Sequence, residues 1–234
     1  MHISMKLNSF VIVFFMFIVV ACNKPASQCC DNHSQKQIPM ELNKFDTIYL
    51  QAPDTLGGVA LLSAMQNRKS DRQFSAENLS LKHLSEVLWA ANGQNRGNGK
   101  RTVPSALALY PIQTYAVLAN GIYLYNVEKH LLEPVKEGDF RDLAGQQDFV
   151  KTAPLNLVFI ADYKAYDGAR TVDAEKRLWL ASLDAGHSTQ NVYLYCASEG
   201  LKCVVRAGAK EKELLQTIGL NDKYQFIVAQ TVGY

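Results

Sequence analysis

The sequence lacks the short signatures of several common catalytic sites. It has no GxSxG nucleophile elbow, no phosphate-binding P-loop, no HExxH zinc motif and no GxGxxG dinucleotide fingerprint. The Gly-rich stretch GQNRGNG follows a predicted helix instead of a strand, which indicates a mobile loop. A Rossmann-type nicotinamide site therefore has no support in this chain.

A strong net charge and internal repeats are also missing. The net charge is only +2 and no long basic run occurs, so the sequence predicts no binding to nucleic acid. No second domain is evident, and 234 residues with 48% hydrophobic content can bury a core of ordinary size. The composition therefore favours one globular domain.

The few cysteines are poorly placed to hold a metal ion. The adjacent Cys29 and Cys30, even with His33, cannot close a tetrahedral site by themselves, so no metal is predicted. Cys196 and Cys203 lie in apolar surroundings. A disulfide between them is open to a protein outside the cytoplasm, but small buried thiols are the favoured interpretation.

The N-terminus carries a targeting signal. Lys6 precedes an apolar run over residues 10–20, and the tetrad VVAC ends at Cys22. The run is shorter than the roughly 20 residues that a membrane span needs. The tetrad resembles a bacterial lipobox, in which Cys22 is lipidated and becomes the first residue of the mature protein. An ordinary signal peptide or a short anchor is the alternative.

Three segments follow from this interpretation. Residues 1–21 are predicted to be a lipoprotein signal peptide, and the polar residues 22–45 a flexible tether. Residues 46–234 form the predicted folded domain.

The folded domain mixes helices and strands without a strict alternation. Apolar spacing predicts a helix over residues 58–67 and a second helix with Ser80 as its N-cap. The pair Asn120-Gly121 predicts a hairpin, and LNLVFIAD has the continuous apolar character of an internal strand. This order indicates an α+β fold with helices packed on a central sheet.

A long helix is predicted over residues 173–199, followed by a strand at KCVVRA, a helix at KEKELLQTIG and a last strand at QFIVAQTV. Small residues cluster in the middle of the long helix and allow another backbone to approach closely. The helix is therefore expected to be central or to lie at a subunit contact. The small residues are Ala181, Ser182, Ala185, Gly186 and Ser188.

Three segments together carry a family resemblance: RKSDRQF at 68–74, RTVPSALALYP at 101–111 and DAGHSTQN at 184–191. They resemble the nitroreductase-like flavoprotein superfamily, and most closely its SagB-type dehydrogenase branch. That branch has a Pro-Ser-Ala-Gly-Ala-Leu-Tyr-Pro-like segment before a hairpin. The resemblance implies a nitroreductase-like α+β fold with a mostly antiparallel central sheet flanked by helices. It also implies noncovalent FMN and a homodimer with two sites at the subunit boundary.

The resemblance assigns residues to the FMN site. Arg68, Ser70 and Arg72 match the motif that grips the FMN phosphate, which suits a dianion because Arg offers charge-assisted donors in a rigid fork. Lys69 occupies a position whose backbone commonly faces the polar edge of the flavin. Pro104, Ser105, Ala106 and Ala108 match a segment that packs on the isoalloxazine from the second subunit. Gln147, or its neighbour Gln146, matches the position of an amide near the flavin ring or the ribityl chain.

These motifs also have purely structural interpretations. Arg68 and Arg72 also suit a solvated helix end, and PSALALYP also suits a helix start with core leucines. His187 suggests a general acid, but a hydrogen-bonded structural histidine is the favoured interpretation.

The sequence departs from the family in three places. Leu107 replaces the glycine usual in the SagB-like segment, and Ala108 stands where many nitroreductases have a polar residue. Relatives commonly end with a glycine and a basic residue that completes the phosphate site, whereas this chain ends TVGY. The cations that remain to replace that residue are Arg206, Lys210 and the Lys100-Arg101 pair.

The function implied is that of an FMN-dependent oxidoreductase with hydride transfer through flavin N5. The reaction expected is nitro- or quinone-type reduction, or SagB-like dehydrogenation, of a small-molecule or peptide substrate. No catalytic side chain is predicted, because the cofactor carries the redox chemistry. The alternative is a nitroreductase-like fold that has lost flavin and serves as a surface binding module. A third option is a ring-cleaving or dehalogenating member.

The lipobox implies an extracytoplasmic lipoprotein, anchored by lipid to a membrane of the cell envelope. Such a domain would not meet the cytoplasmic NAD(P)H pool. The expected reductant is therefore a different one, or the protein oxidises an exported substrate and hands the electrons on.

Overall fold

A computed structural model describes residues 38–168 and 172–234. The predicted signal peptide, Cys22 and the tether up to residue 37 lie outside these residues. Within the described ranges, no helix is both long and apolar enough to cross a membrane.

One antiparallel sheet of seven strands organises the domain, in the order β1-β4-β3-β2-β5-β7-β6. The predicted α+β class and the antiparallel sheet are therefore confirmed. The strands are β1 (Ile48–Tyr49), β2 (Ile112–Leu118), β3 (Gly121–Asn126), β4 (Leu131–Glu137), β5 (Leu155–Asp162), β6 (Lys202–Arg206) and β7 (Tyr224–Gly233).

Within residues 38–168 and 172–234, four α-helices flank the sheet. They are α1 (Leu61–Asn67), α2 (Leu81–Asn92), α3 (Ala174–Glu199) and α4 (Glu211–Ile218). Helices α2 and α3 pack together on one face of the sheet, and α3 also contacts α1. Leu214 of α4 belongs to a second apolar cluster, on the other face. The sheet thus has a helical cover on both sides.

Local signals in the sequence account for most element boundaries. The Ser80 side chain accepts a hydrogen bond from the His83 backbone N–H at 3.1 Å and caps α2, as predicted. Asp173 caps α3 in the same way, and α3 ends at Gly200, whose φ is 72°. Leu118 pairs with Gly121, so β2 and β3 are joined by the expected tight turn.

The internal strand and the central helix are also where the sequence placed them. All residues of β5 except its last are buried, and β5 lies between β2 and β7. Ala181, Ala185 and Ser188 of α3 are buried, whereas Ser182 and Gly186 on its other side are exposed. Small residues therefore let α3 approach the sheet closely. Cys196 and Cys203 are buried free thiols, which confirms the favoured interpretation.

Candidate functional site

The segment RKSDRQF leaves α1 in an extended conformation and runs along the end of β6. Arg68 closes α1 through its N–H to the Ala64 carbonyl, at 2.9 Å, and its ψ of 123° ends the helix. The Asp71 N–H donates to the Cys203 carbonyl at 3.0 Å, and the Ser75 N–H donates to the Tyr234 carbonyl at 2.8 Å. The arginine segment is therefore fixed to the sheet by backbone hydrogen bonds on both sides of Arg72. It is not a loose helix end.

Tyr193 of α3 holds the middle of this segment. Its hydroxyl lies 2.7 Å from Ser70 Oγ and accepts a hydrogen bond from the Val205 N–H at 3.0 Å. The Arg68 guanidinium lies over the Tyr193 ring, 5.3 Å from its centroid. One phenol thus joins the arginine segment, α3 and β6. Sequence reasoning missed Tyr193, because a tyrosine in a helix of apolar periodicity suggests only a core residue.

The cations of this segment are mostly without anionic partners. Within the described residues, neither Arg68 nor Arg72 forms an ion pair, and Arg72 is exposed. Lys69 is exposed and lies 3.7 Å from Asp71 Oδ2. Lys202, which sequence reasoning also missed, helps to lower the pKa of Asp71, although the hydrogen bond from the Gln73 N–H is the main cause. Within the described residues, neither guanidinium is therefore neutralised by a carboxylate.

Arg206, suggested as a replacement for the C-terminal basic residue of the family, is engaged elsewhere. Arg206 is 5% exposed, and all three of its nitrogens donate inward, to Thr231 Oγ1, the Ala144 carbonyl and Asn156 Oδ1. A Cβ on Gly145 would lie 2.0 Å from this guanidinium, so only glycine fits there. Arg206 is therefore a structural cation of the core.

The other replacements fare no better. Lys210 is paired with Asp142 at 2.8 Å, and this pairing is the main reason its pKa is raised. Arg101 donates a hydrogen bond to Asn92 Oδ1, at the end of α2, at 3.1 Å. The chain terminus brings no cation either, since the Tyr234 hydroxyl lies near His83 Nδ1 at 3.0 Å. Lys69 and Lys202 are the nearest supplements to the arginine pair.

The segment PSALALYP is a strained turn. It contains a 3-10 turn of only three residues, Ala106–Ala108. Leu107, Ala108 and Tyr110 have φ angles of 54°, 55° and 48°, a region that disfavours side chains. The alternative of a helix start with core leucines is wrong, because Leu107 is 71% exposed.

Ser105 and α3 hold this turn in place. Ser105 Oγ accepts from the Tyr110 N–H at 2.9 Å. Burial raises the pKa of the Asp184 carboxyl of α3, and the nearby Ser105 hydroxyl, with smaller contributions from His187 and the Ala106 N–H, opposes that rise. Pro104 itself is exposed, so the segment presents Pro104 and Leu107 outward.

The remaining candidates lie at the surface. Gln146 and Gln147 are both exposed, in the connection between β4 and β5. The Gln146 side chain lies 3.9 Å from where a Cβ on Gly208 would be, so it borders the loop that follows β6. His187 is exposed on α3, and within the described residues its ring has no hydrogen-bond partner, so the structural interpretation of His187 is wrong.

The two predicted halves of the site lie at different levels of α3 in one chain. Ser105 is beside Asp184, and Ser70 is beside Tyr193, nine residues further along the helix. Nine residues correspond to roughly 13 Å along the axis. Within one chain, the arginine segment and the Pro-Ser-Ala turn are therefore held apart along α3.

With this geometry in view, the sequence pattern of the Nitroreductase family matches residues 65–234. The chain belongs to the nitroreductase family, and it is an oxidoreductase. A crystal structure of a Ralstonia eutropha protein designated a nitroreductase is 37% identical, with a TM-score of 0.75 over 84% of this chain and 92% of that one. A Methanocaldococcus jannaschii protein of the same designation is 29% identical over 187 residues, which are 76% of this chain and 92% of that protein.

The same fold occurs in a microcin synthetase complex. In the Escherichia coli microcin synthetase McbBCD complex, the matching chain is 22% identical, with a TM-score of 0.59 over 82% of this chain and 79% of that one. At this identity the likeness concerns the fold alone. The nitroreductase fold expected from the three sequence segments is confirmed.

Proposed function

We propose that this oxidoreductase binds FMN and that Arg68, Ser70 and Arg72 hold the FMN phosphate. The observation that carries the proposal is the pair of guanidiniums without carboxylate partners on a backbone fixed to β6. A dianion in that position would offset the repulsion between Arg68 and Arg72 and accept charge-assisted hydrogen bonds. The donor set therefore fits a phosphate.

The bound flavin would supply hydride transfer, and the protein would bind and orient the flavin and exclude water from it. The Tyr193 hydroxyl fixes the position of Ser70 relative to β6, so it would also determine the position of the phosphate. The Lys69 and Lys202 ammonium groups would offset the Asp71 carboxylate beside that phosphate. The proposed reaction is reduction of nitro or quinone compounds, or dehydrogenation of a small molecule or peptide.

We further propose that the second half of each site comes from a partner copy. Helix α1 exposes Leu61, Leu62 and Met65 beside the C-terminal part of α3, where the Val59 N–H donates to Ser198 Oγ. A separate surface near the N-terminal end of α3 has three large apolar side chains that are 43–58% exposed: Leu178, Trp179 and Leu183. An apolar surface of this kind is typical of a protein interface. A homodimer through this surface would let the Pro-Ser-Ala turn of one copy, with Pro104, Ser105, Ala106 and Ala108, approach the arginine segment of the other.

The test of the FMN proposal is the double substitution Arg68→Ala/Arg72→Ala. Losing a charged hydrogen bond costs about 1.5–3 kcal/mol, so the double variant should lose FMN by at least about a hundredfold in affinity. FMN titration by fluorescence quenching measures this, and circular dichroism checks the fold. The matched control is Arg96→Ala/Lys212→Ala, which removes two exposed cations elsewhere. Full FMN stoichiometry in the Arg68/Arg72 variant would place the phosphate elsewhere.

One observation favours a flavin-less binding module as second candidate. Tyr234, whose carbonyl accepts from the Ser75 N–H, turns its hydroxyl to His83, and the strand β7 before it contains no lysine or arginine. Purified protein should be yellow and should release FMN on denaturation. Colourless protein that takes up no added FMN would decide for the module.

Membrane anchoring is proposed from the lipobox alone. Lipidated Cys22 would place the domain outside the inner membrane, where the reductant is not NAD(P)H. Fractionation of cells, with mass spectrometry of the N-terminal peptide, tests the proposal. Full-length protein found without lipid in the cytosolic fraction would refute it, whereas the Cys22→Ala variant should leave the membrane fraction.

A further inference from the structure

A cavity lies beside the strained turn of residues 106–110. It has a volume of about 470 Å³ and lies between the chain around Arg101, the turn at Tyr110 and strands β2 and β3. Ligand pockets for small organic molecules commonly have 300–1,000 Å³. Ile112, Leu124 and Tyr125 form an apolar and aromatic part of the wall, and polar or charged residues make up about half of the lining. The cavity is therefore of the right size and character for a small organic ligand.

Arg101 is the cation inside this cavity, and its position is prearranged. Its guanidinium lies 4.6 Å from the centroid of the Tyr110 ring, and one nitrogen donates to Asn92 Oδ1 at 3.1 Å. The Asn92 amide is itself fixed, because its nitrogen donates to the Ile112 carbonyl at 2.9 Å. The left-handed φ of 48° at Tyr110 places this ring. Backbone strain is thus used to seat a guanidinium.

The donors of Arg101 are largely unused. Within the part of the chain that the structure describes, it forms no ion pair, and its side chain makes only the bond to Asn92. Burial lowers the pKa of Arg101, which is the sign of a desolvated cation that gains from an anionic partner. Guanidinium has five N–H donors in a planar fork that matches a carboxylate.

The charges around the cavity make it selective. Asp162 already accepts hydrogen bonds from Gln113 Nε2 at 3.3 Å and from the Lys164 N–H at 3.0 Å, and Glu128 is exposed at the rim. Together with Arg101 and Lys164, these carboxylates make the lining neutral overall. The net charge of the lining therefore does not favour anions in general, and a carboxylate must be recognised by the guanidinium of Arg101.

We propose that this cavity binds a small organic carboxylate, with the carboxylate on Arg101 and an apolar or aromatic body against the Tyr110 and Tyr125 rings. The site uses none of the residues proposed to hold FMN. Its assignment as a place for the substrate, next to the turn that would face the flavin, rests on the proposed function. The binding itself does not.

The test compares three probes of one shape on the full-length protein: benzoate, benzamide and benzylamine. Isothermal titration should show benzoate binding at least about tenfold more tightly than either of the others, since a charged bidentate pair is lost with each. Equal affinity of benzoate and benzamide, tighter binding of benzylamine, or no measurable benzoate binding overturns the proposal. None of these results depends on a variant that must fold.

Variants assign the binding to Arg101. Arg101→Gln should lose benzoate binding by about tenfold or more, Arg101→Lys should lose part of it, and Lys100→Gln, a neighbouring cation outside the cavity, should change nothing. Benzoate binding should persist in Arg68→Ala/Arg72→Ala. Failure of FMN binding and failure of carboxylate binding are thereby separated. Unchanged benzoate affinity in Arg101→Gln refutes the site.

Discussion

Glycine should stabilise the Pro-Ser-Ala turn where it would weaken ordinary structure. Leu107 and Ala108 have φ angles of 54° and 55°. A left-handed backbone costs an L-residue about 1–2 kcal/mol, and glycine avoids this cost. Glycine also adds about 0.5–1 kcal/mol of chain entropy to the unfolded state. The difference leaves roughly 0.5–1 kcal/mol in favour of glycine over alanine at both positions.

Three comparisons measure this difference by urea unfolding. Ala108→Gly should be more stable than the unmodified protein, and Leu107→Gly should be more stable than Leu107→Ala, in which the strain remains. The matched control is Leu183, an exposed leucine in the middle of α3. There the Gly variant should be less stable than the Ala variant by about 1 kcal/mol.

The sign of the difference is the decisive result. If glycine is no better than alanine at Leu107 and Ala108, the turn is not strained in solution, and the account of how Tyr110 is seated fails with it. If the sign reverses between the turn and α3, the SagB-like glycine has been replaced here at a cost in stability.

Three further predictions concern single side chains. Burial lowers the pKa of His83, so near this pKa the unfolded chain binds a proton that the folded state does not bind. The free energy of unfolding should therefore fall as the pH drops below about 6.5. In urea unfolding, His83→Gln should reduce this fall between pH 7.5 and about 5.5. Tyr193→Phe removes the hydroxyl that joins Ser70 to Val205 and should weaken FMN binding up to about tenfold in fluorescence titration; unchanged affinity would contradict the role of this phenol. Arg206→Met leaves three buried acceptors without a donor and should cost about 3–5 kcal/mol, seen as a lower thermal midpoint, whereas a neutral result would show that the core repacks around it.

Much of the fold could be predicted because its signals are local. The Ser80 cap, the turn before Gly121 and the apolar run of β5 each depend on a few adjacent residues, and all are found in the structure. Strand β4 was not predicted, since Pro134 and three charged residues interrupt its pattern. It lies near the sheet edge, where such residues are tolerated, and only tertiary pairing reveals it.

The site was predictable only in part, because its supports are distant in sequence. Arg68, Ser70 and Arg72 are recognisable as a motif, but Tyr193 is 123 residues from Ser70. Its phenol becomes part of the site only when α3 packs beside α1. Arg206 shows the opposite error: from sequence it is a candidate phosphate ligand, and in the fold it is a donor to three core acceptors.

The long helix α3 holds the two halves of the proposed flavin site apart within one chain. Asp184 supports the Pro-Ser-Ala turn, and Tyr193 supports the arginine segment, on the same rigid rod. A helix cannot shorten the roughly 13 Å between them. Because Leu178, Trp179 and Leu183 of the same helix are exposed, the proposed partner copy would meet α3 next to Asp184, where the Pro-Ser-Ala turn is held. The helix that separates the halves within one chain is therefore also the element through which the proposed dimer would reunite them.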